Sequence, residues 1–133
     1  MVEAIPIVYV VDDDESVRGS LKMLIESAGN CVVAFNSAED FLDSGFGERP
    51  CCLILDILLP GMSGFKLREH LVNLQIRIPV IFVTGHDSYR MEEEAMRLGA
   101  IAYLRKPFDE QCLLDAIQLA CEKGTLNSGK LSV

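Results

Sequence analysis

The chain contains no apolar run approaching the ~20 residues of a membrane-spanning helix. Its N-terminal stretch, MVEAIPIVYVVDDD, has neither a basic leader nor a small-residue cleavage site, so a secretory signal is not expected. The expectation is a soluble cytoplasmic protein with no membrane partner. Positive charge is scarce: 12 Lys and Arg stand against 20 Asp and Glu, a formal net charge of -8. Because phosphate neutralisation needs clustered cations, direct nucleic-acid binding by this domain is disfavoured. The five cysteines, Cys31, Cys51, Cys52, Cys112 and Cys121, form no CxxC pair, and their odd count fits no closed disulfide framework. They read as small buried hydrophobes, with the adjacent Cys51 and Cys52 on opposite faces of a strand rather than a redox pair. No GxxxxGK[ST] or GxGxxG occurs, so no nucleotide cradle is expected.

What is present reads as one domain. Of 133 residues, 50% are hydrophobic and 24% charged, an ordinary globular balance. Five short aliphatic runs have strand length: IVYVV (7–11), CVVAF (31–35), CLIL (52–55), VIFV (80–83) and IAYL (101–104). Helical spacing lies between and after them. Val17, Leu21, Leu24 and Ile25 run to Gly29; Phe41 and Leu42 follow Ser37; Leu67, Leu71 and Leu74 form a third set. Met91, Ala95, Met96 and Leu98 run to Gly99, and Leu113, Leu114, Ile117 and Cys121 follow Asp109. Five alternations of strand and helix predict a parallel sheet covered on both faces, with ligands at the carboxyl ends of the strands. From residue 123 the apolar period is lost, and the tail reads as a linker or disordered end.

The residues that follow the strands share a chemistry. Asp12, Asp13 and Asp14 follow the first, Asp56 the third, Thr84 the fourth, and Lys106 with Pro107 the fifth. Any one of them could be a cap or turn residue. Three carboxylates on one rim repel by roughly a kcal/mol per pair even when screened, so a cation must compensate. A hard divalent ion, Mg²⁺ or Mn²⁺, suits such oxygen ligands, and one ammonium suits a phosphoryl group. The set fits phosphoryl transfer from a donor that brings its own phosphate.

VVDDD, LILDILLPGMSG, IFVTGH and AYLRKPF, in this order and spacing, resemble the receiver domain of bacterial two-component response regulators over residues 5 to about 122. The section from VTGH to LRKPF is most similar to receivers of nitrogen-fixation-regulator-type helix-turn-helix transcription factors. The resemblance implies a doubly wound (βα)5 flavodoxin-like three-layer sandwich with strand order 2-1-3-4-5, and a receiver at 1–122 followed by a linker at 123–133. It implies that Asp56 accepts a phosphoryl group from a sensor histidine kinase. Asp12, Asp13, Asp56 and the Leu58 backbone carbonyl would hold Mg²⁺, or Mn²⁺ in its place. Lys106 would pair with Asp56 and then with the phosphoryl group, Lys106–Pro107 would be a cis bond, and Thr84 with Tyr103 would form the switch. The chain would then be no enzyme beyond its own phosphorylation and dephosphorylation. Its switched face would control an output domain or partner protein, with transcription as the output and homodimerisation on phosphorylation.

Other residues carry less. Asp14 and Glu15 read as a helix start; His86 reads as a solvated loop residue at a position that in this family influences phosphate lifetime; His70 sits on a helix; Met91 and Met96 read as core. VVDDDESV also resembles the nucleophile motif of haloacid dehalogenase-type phosphatases, with Asp12 as nucleophile and Asp14 as acid. That alternative leaves Asp56 without a role and lacks the late acidic motif. Flavin binding fits poorly with an acidic rim, and a module that has lost phosphorylation fits poorly with every chemical position filled.

Overall fold

The apolar runs become β1 (Ile7–Val11), β2 (Cys31–Phe35), β3 (Pro50–Asp56), β4 (Val80–Thr84) and β5 (Ala102–Arg105) in a computed structural model. That structure describes residues 7–45, 50–85 and 88–131, with backbone alone at 50, 51, 89 and 123–131. The alternating helices are α1 (Glu15–Ser27), α2 (Ala38–Asp43), α3 (Gly64–Asn73), α4 (Tyr89–Arg97) and α5 (Glu110–Leu131). The first four start on an oxygen-bearing cap: Asp14, Ser37, Ser63 and Ser88 each accept a backbone N–H of the first turn. Asp14 is therefore used as a helix start, as its position suggested.

All strand pairs are parallel and the order is β2-β1-β3-β4-β5. The chain steps to one side of β1 to make β2 and to the other to make β3, which opens a crevice at the carboxyl ends of β1 and β3. Successive strand residues alternate between two cores. Tyr9, Val11, Leu53, Leu55 and Phe82 pack with Phe41 of α2, Leu67 and Leu71 of α3 and Ala95 of α4. Val8, Val10, Ile54 and Ile81 pack with Ile25 of α1 and Leu113 and Ile117 of α5.

Several local expectations differ from this structure. β2 is an edge strand whose Cys31, Val33 and Ala34 are exposed, so its unbroken apolar run reflects strand preference rather than two-sided burial. Leu74 caps α3 and Met96 lies on the outer face of α4; both are about half exposed, whereas Met91 packs against the core. Among the described thiols only Cys52 is fully buried; Cys31 and Cys112 are exposed, and Cys121 is held in a disulfide. An odd count excludes a fully paired set but not one bridge beside free thiols. The α5 helix runs on through residue 131, across the stretch read as linker.

Candidate functional site

The carboxyl ends of β1 and β3 bring Asp12, Asp13 and Asp56 into one crevice. Asp12 is fixed at the end of β1 by its N–H, which donates to Phe35 O at 3.1 Å, and by Arg18, whose guanidinium donates to the Asp12 carbonyl at 2.8 Å. Its Oδ1 accepts the Asp14 N–H at 2.9 Å. Asp56 closes β3, with Oδ1 accepting the Leu58 N–H at 3.2 Å. Asp12 is 1% and Asp56 7% exposed, while Asp13 faces solvent. One oxygen from each of the three carboxylates lies within 4.8 Å of the others.

The ammonium of Lys106 enters this cluster from the end of β5. It donates to Asp12 Oδ2 at 2.7 Å and to Asp56 Oδ2 at 3.3 Å. Its backbone N–H donates to Thr84 O at 2.8 Å, and the Lys106–Pro107 peptide is cis. Burial raises the Asp56 carboxyl above its ordinary range and the negative charge of Asp12 adds to this, against the lowering effect of Lys106. Burial alone would lower the Lys106 ammonium, but its bonds to Asp12 and Asp56 outweigh burial and hold it above its ordinary value. One ammonium against three carboxylates leaves an excess of negative charge. The donor set is all hard oxygen, with two anchored carboxylates and one at the surface, and it fits Mg²⁺ or Mn²⁺.

The segment after Asp56 is folded tightly against it. Gly64 opens α3 with its N–H on Ile57 O at 2.9 Å. A side chain at 64 would begin 2.3 Å from Asp56 O and 2.9 Å from Ile57 Cα, so only glycine lets α3 approach the strand end this closely.

The family model of the response regulator receiver domain matches residues 8–118. The chain belongs to this family. Nodulation protein W of Bradyrhizobium diazoefficiens is 48% identical over 117 residues, 88% of this chain and 52% of that protein. The transcriptional regulatory protein FixJ of Azorhizobium caulinodans is 41% identical over 118 residues, 89% of this chain and 56% of that protein. Among solved structures, response regulator StyR superposes with a TM-score of 0.86 at 42% identity, covering 97% of this chain and 65% of that one. FixJ-N superposes at 0.82 with 37% identity, covering 90% and 96%. The receiver spans about half the length of the curated relatives it matches.

Of the residues singled out in the receiver sequence, Asp12, Asp13, Asp56 and Lys106 converge as described. Thr84 ends β4 at 1% exposure, and Tyr103 of β5 packs into the core beside α4, with the Arg105 guanidinium 5.3 Å from its ring centroid. His70 is exposed on α3. His86 lies outside the described residues. Nothing favours the phosphatase alternative: Asp14, its required acid, accepts the N–H groups of Ser16 and Val17 as the α1 cap. Sequence reasoning missed Arg18, which orients Asp12, and Glu39, which reaches the segment after Asp56. No motif could have found either, because each acts on a backbone group.

No described helix is long and apolar enough to cross a membrane.

Proposed function

We propose that this receiver accepts a phosphoryl group on Asp56 from the phosphohistidine of a sensor histidine kinase and uses it to switch an output, with transcription as that output. One observation carries the reading: two buried carboxylates and one exposed carboxylate share a cluster into which a single ammonium is hydrogen-bonded. Asp56 Oδ attacks phosphorus, and the bond from phosphorus to the donor nitrogen breaks. Asp12, Asp13, Asp56 and the Leu58 carbonyl would hold Mg²⁺, with Mn²⁺ as a substitute. Bound there, the ion neutralises charge on the group in transfer. Lys106 follows the charge, from Asp56 to a phosphoryl oxygen.

The switch follows from the same chemistry. An aspartyl phosphate adds about two negative charges and three acceptor oxygens. Thr84 turns its hydroxyl to that group, Tyr103 moves into the vacated space, and the face formed by α4, β5 and α5 shifts. Homodimerisation, or contact with an output domain or partner protein, reads the shifted face; nucleic acid is not bound by this domain itself. The receiver is a signalling domain that catalyses only its own phosphorylation and dephosphorylation, in the cytoplasm. Its globular unit ends near residue 122, and the last turns of α5, to residue 131, serve as a helical linker.

The test uses acetyl phosphate and Mg²⁺. Wild type should gain one acid-labile phosphoryl group and change its amide exchange across α4, β5 and α5, whereas Asp56→Asn should do neither. Exchange altered only around Asp56 would count against the switch.

A further inference from the structure

The segment that follows Asp56 is held from two sides. On the strand side, the Leu58 N–H donates to Asp56 Oδ1 at 3.2 Å and the Gly64 N–H to Ile57 O at 2.9 Å. On the outer side, a side chain from another element reaches it. Glu39, in the first turn of α2, accepts the Met62 N–H on Oε2 at 3.1 Å, across 23 residues of sequence.

The neighbouring residue leaves room for this contact. Gly61 has a φ of +75°, and a side chain there would begin 2.7 Å from Glu39 Oε2. The absence of a Cβ permits the left-handed turn and leaves the carboxylate its place. An acidic residue in the first turn is stabilised by the helix dipole in any case. That effect acts locally, however, and does not account for a carboxylate directed onto the backbone of a different segment.

We propose that Glu39 is a positioning residue for the phosphoryl-transfer site: it fixes residues 58–62 from outside and thereby sets where the Leu58 carbonyl points. The inference rests on the reading of Asp56 and its neighbours as a Mg²⁺-dependent phospho-acceptor site. Leu58 is suited to such a role, because its backbone N–H is already bound to Asp56 Oδ1 and its peptide therefore lies beside the acids. Outer groups that orient ligands typically weigh about 10-fold or more in metal affinity.

The experiment compares wild type, Glu39→Ala and Glu39→Gln by amide exchange at Met62, by calorimetric Mg²⁺ titration and by the rate of phosphorylation from acetyl phosphate. Glu39 is exposed, so neither variant threatens the core. Glu39→Ala should speed Met62 exchange in the metal-free protein by about 10-fold and weaken Mg²⁺ binding by about 10-fold. Its phosphorylation should be slow at limiting Mg²⁺ and recover at saturating Mg²⁺. Glu39→Gln retains an oxygen for the Met62 N–H and should behave as wild type in all three. An alanine variant indistinguishable from wild type would overturn the proposal, and so would a glutamine variant as impaired as alanine, since charge rather than the hydrogen bond would then be at work. Failure of wild type itself to bind Mg²⁺ or to take up phosphate would overturn the underlying phospho-acceptor reading, and with it the proposal.

Discussion

Lys106 Nζ sits closer to Asp12 Oδ2, at 2.7 Å, than to Asp56 Oδ2, at 3.3 Å. One partly exposed ammonium thus serves two carboxylates that are almost out of water. Lys106→Met should cost the metal-free protein about 2 kcal/mol, less than for a fully buried pair because solvent reaches the ammonium. Mg²⁺ should return part of the loss by supplying the missing positive charge. Urea denaturation with and without Mg²⁺ measures both, and an unchanged metal-free midpoint would show that the carboxylates do not depend on Lys106.

Asp13 is the exposed member of the acidic trio. An ion that binds the native state alone, at about 100 times its dissociation constant, adds about 2.7 kcal/mol. For a domain of this size that raises the melting temperature by about 8 °C. Asp13→Asn should have opposite effects in two conditions. Without metal it removes a like charge and leaves stability equal or higher; with metal it removes a ligand and loses most of the gain. Thermal melts of both proteins with and without Mg²⁺ decide it, and a variant neutral in both conditions would rule out a metal role for Asp13.

Gly64→Ala would place a methyl group 2.3 Å from Asp56 O and 2.9 Å from Ile57 Cα, both backbone atoms that cannot swing aside. The start of α3 must then move from the end of β3, at a cost of about 3 kcal/mol. Chemical denaturation should show this loss, and phosphorylation should slow because Asp56 moves with its carbonyl. A variant of wild-type stability would mean that the two elements are not tightly apposed.

Cys52 of β3 is fully buried in the core on the α1–α5 side of the sheet, and burial pushes its thiol from 9.0 to about 12. The folded thiol keeps its proton where the unfolded thiol loses it. Its stabilising share is therefore complete below pH 9.0 and is lost as pH rises toward about 12. The slope it contributes there is at most about 1.4 kcal/mol per pH unit. Alkaline denaturation of wild type should be steeper than that of Cys52→Ala in this window. Equal slopes would show that the thiol is not shielded.

Elements whose signal lies in side-chain periodicity were legible in the sequence. Val8 to Val11, Leu53 to Leu55 and Val80 to Val83 are strands because they are buried on both faces, and such burial selects unbroken aliphatic runs. Asp56 and Thr84 extend β3 and β4 beyond those runs, pairing with Val83 and Arg105 by backbone bonds that polar residues also make. The acidic cluster was legible because its members end different strands. The contacts of Glu39 with Met62, of Arg18 with Asp12 O, and of Arg68 with Ile78 O and Leu98 O were not. In each a side chain meets a backbone group, and every residue has the same backbone. The persistence of α5 past residue 122 was also hidden, since periodicity reports a buried face rather than the helix itself.

The most direct test of the account is to locate the phosphoryl group. Wild-type protein is treated with acetyl phosphate and Mg²⁺, the acyl phosphate is reduced with borohydride, and the modified residue is identified by peptide mass spectrometry. The account predicts modification at Asp56 alone, dependent on Mg²⁺ and absent from Asp56→Asn. Modification at Asp12, or none at any aspartate under conditions where the protein is folded, would contradict it.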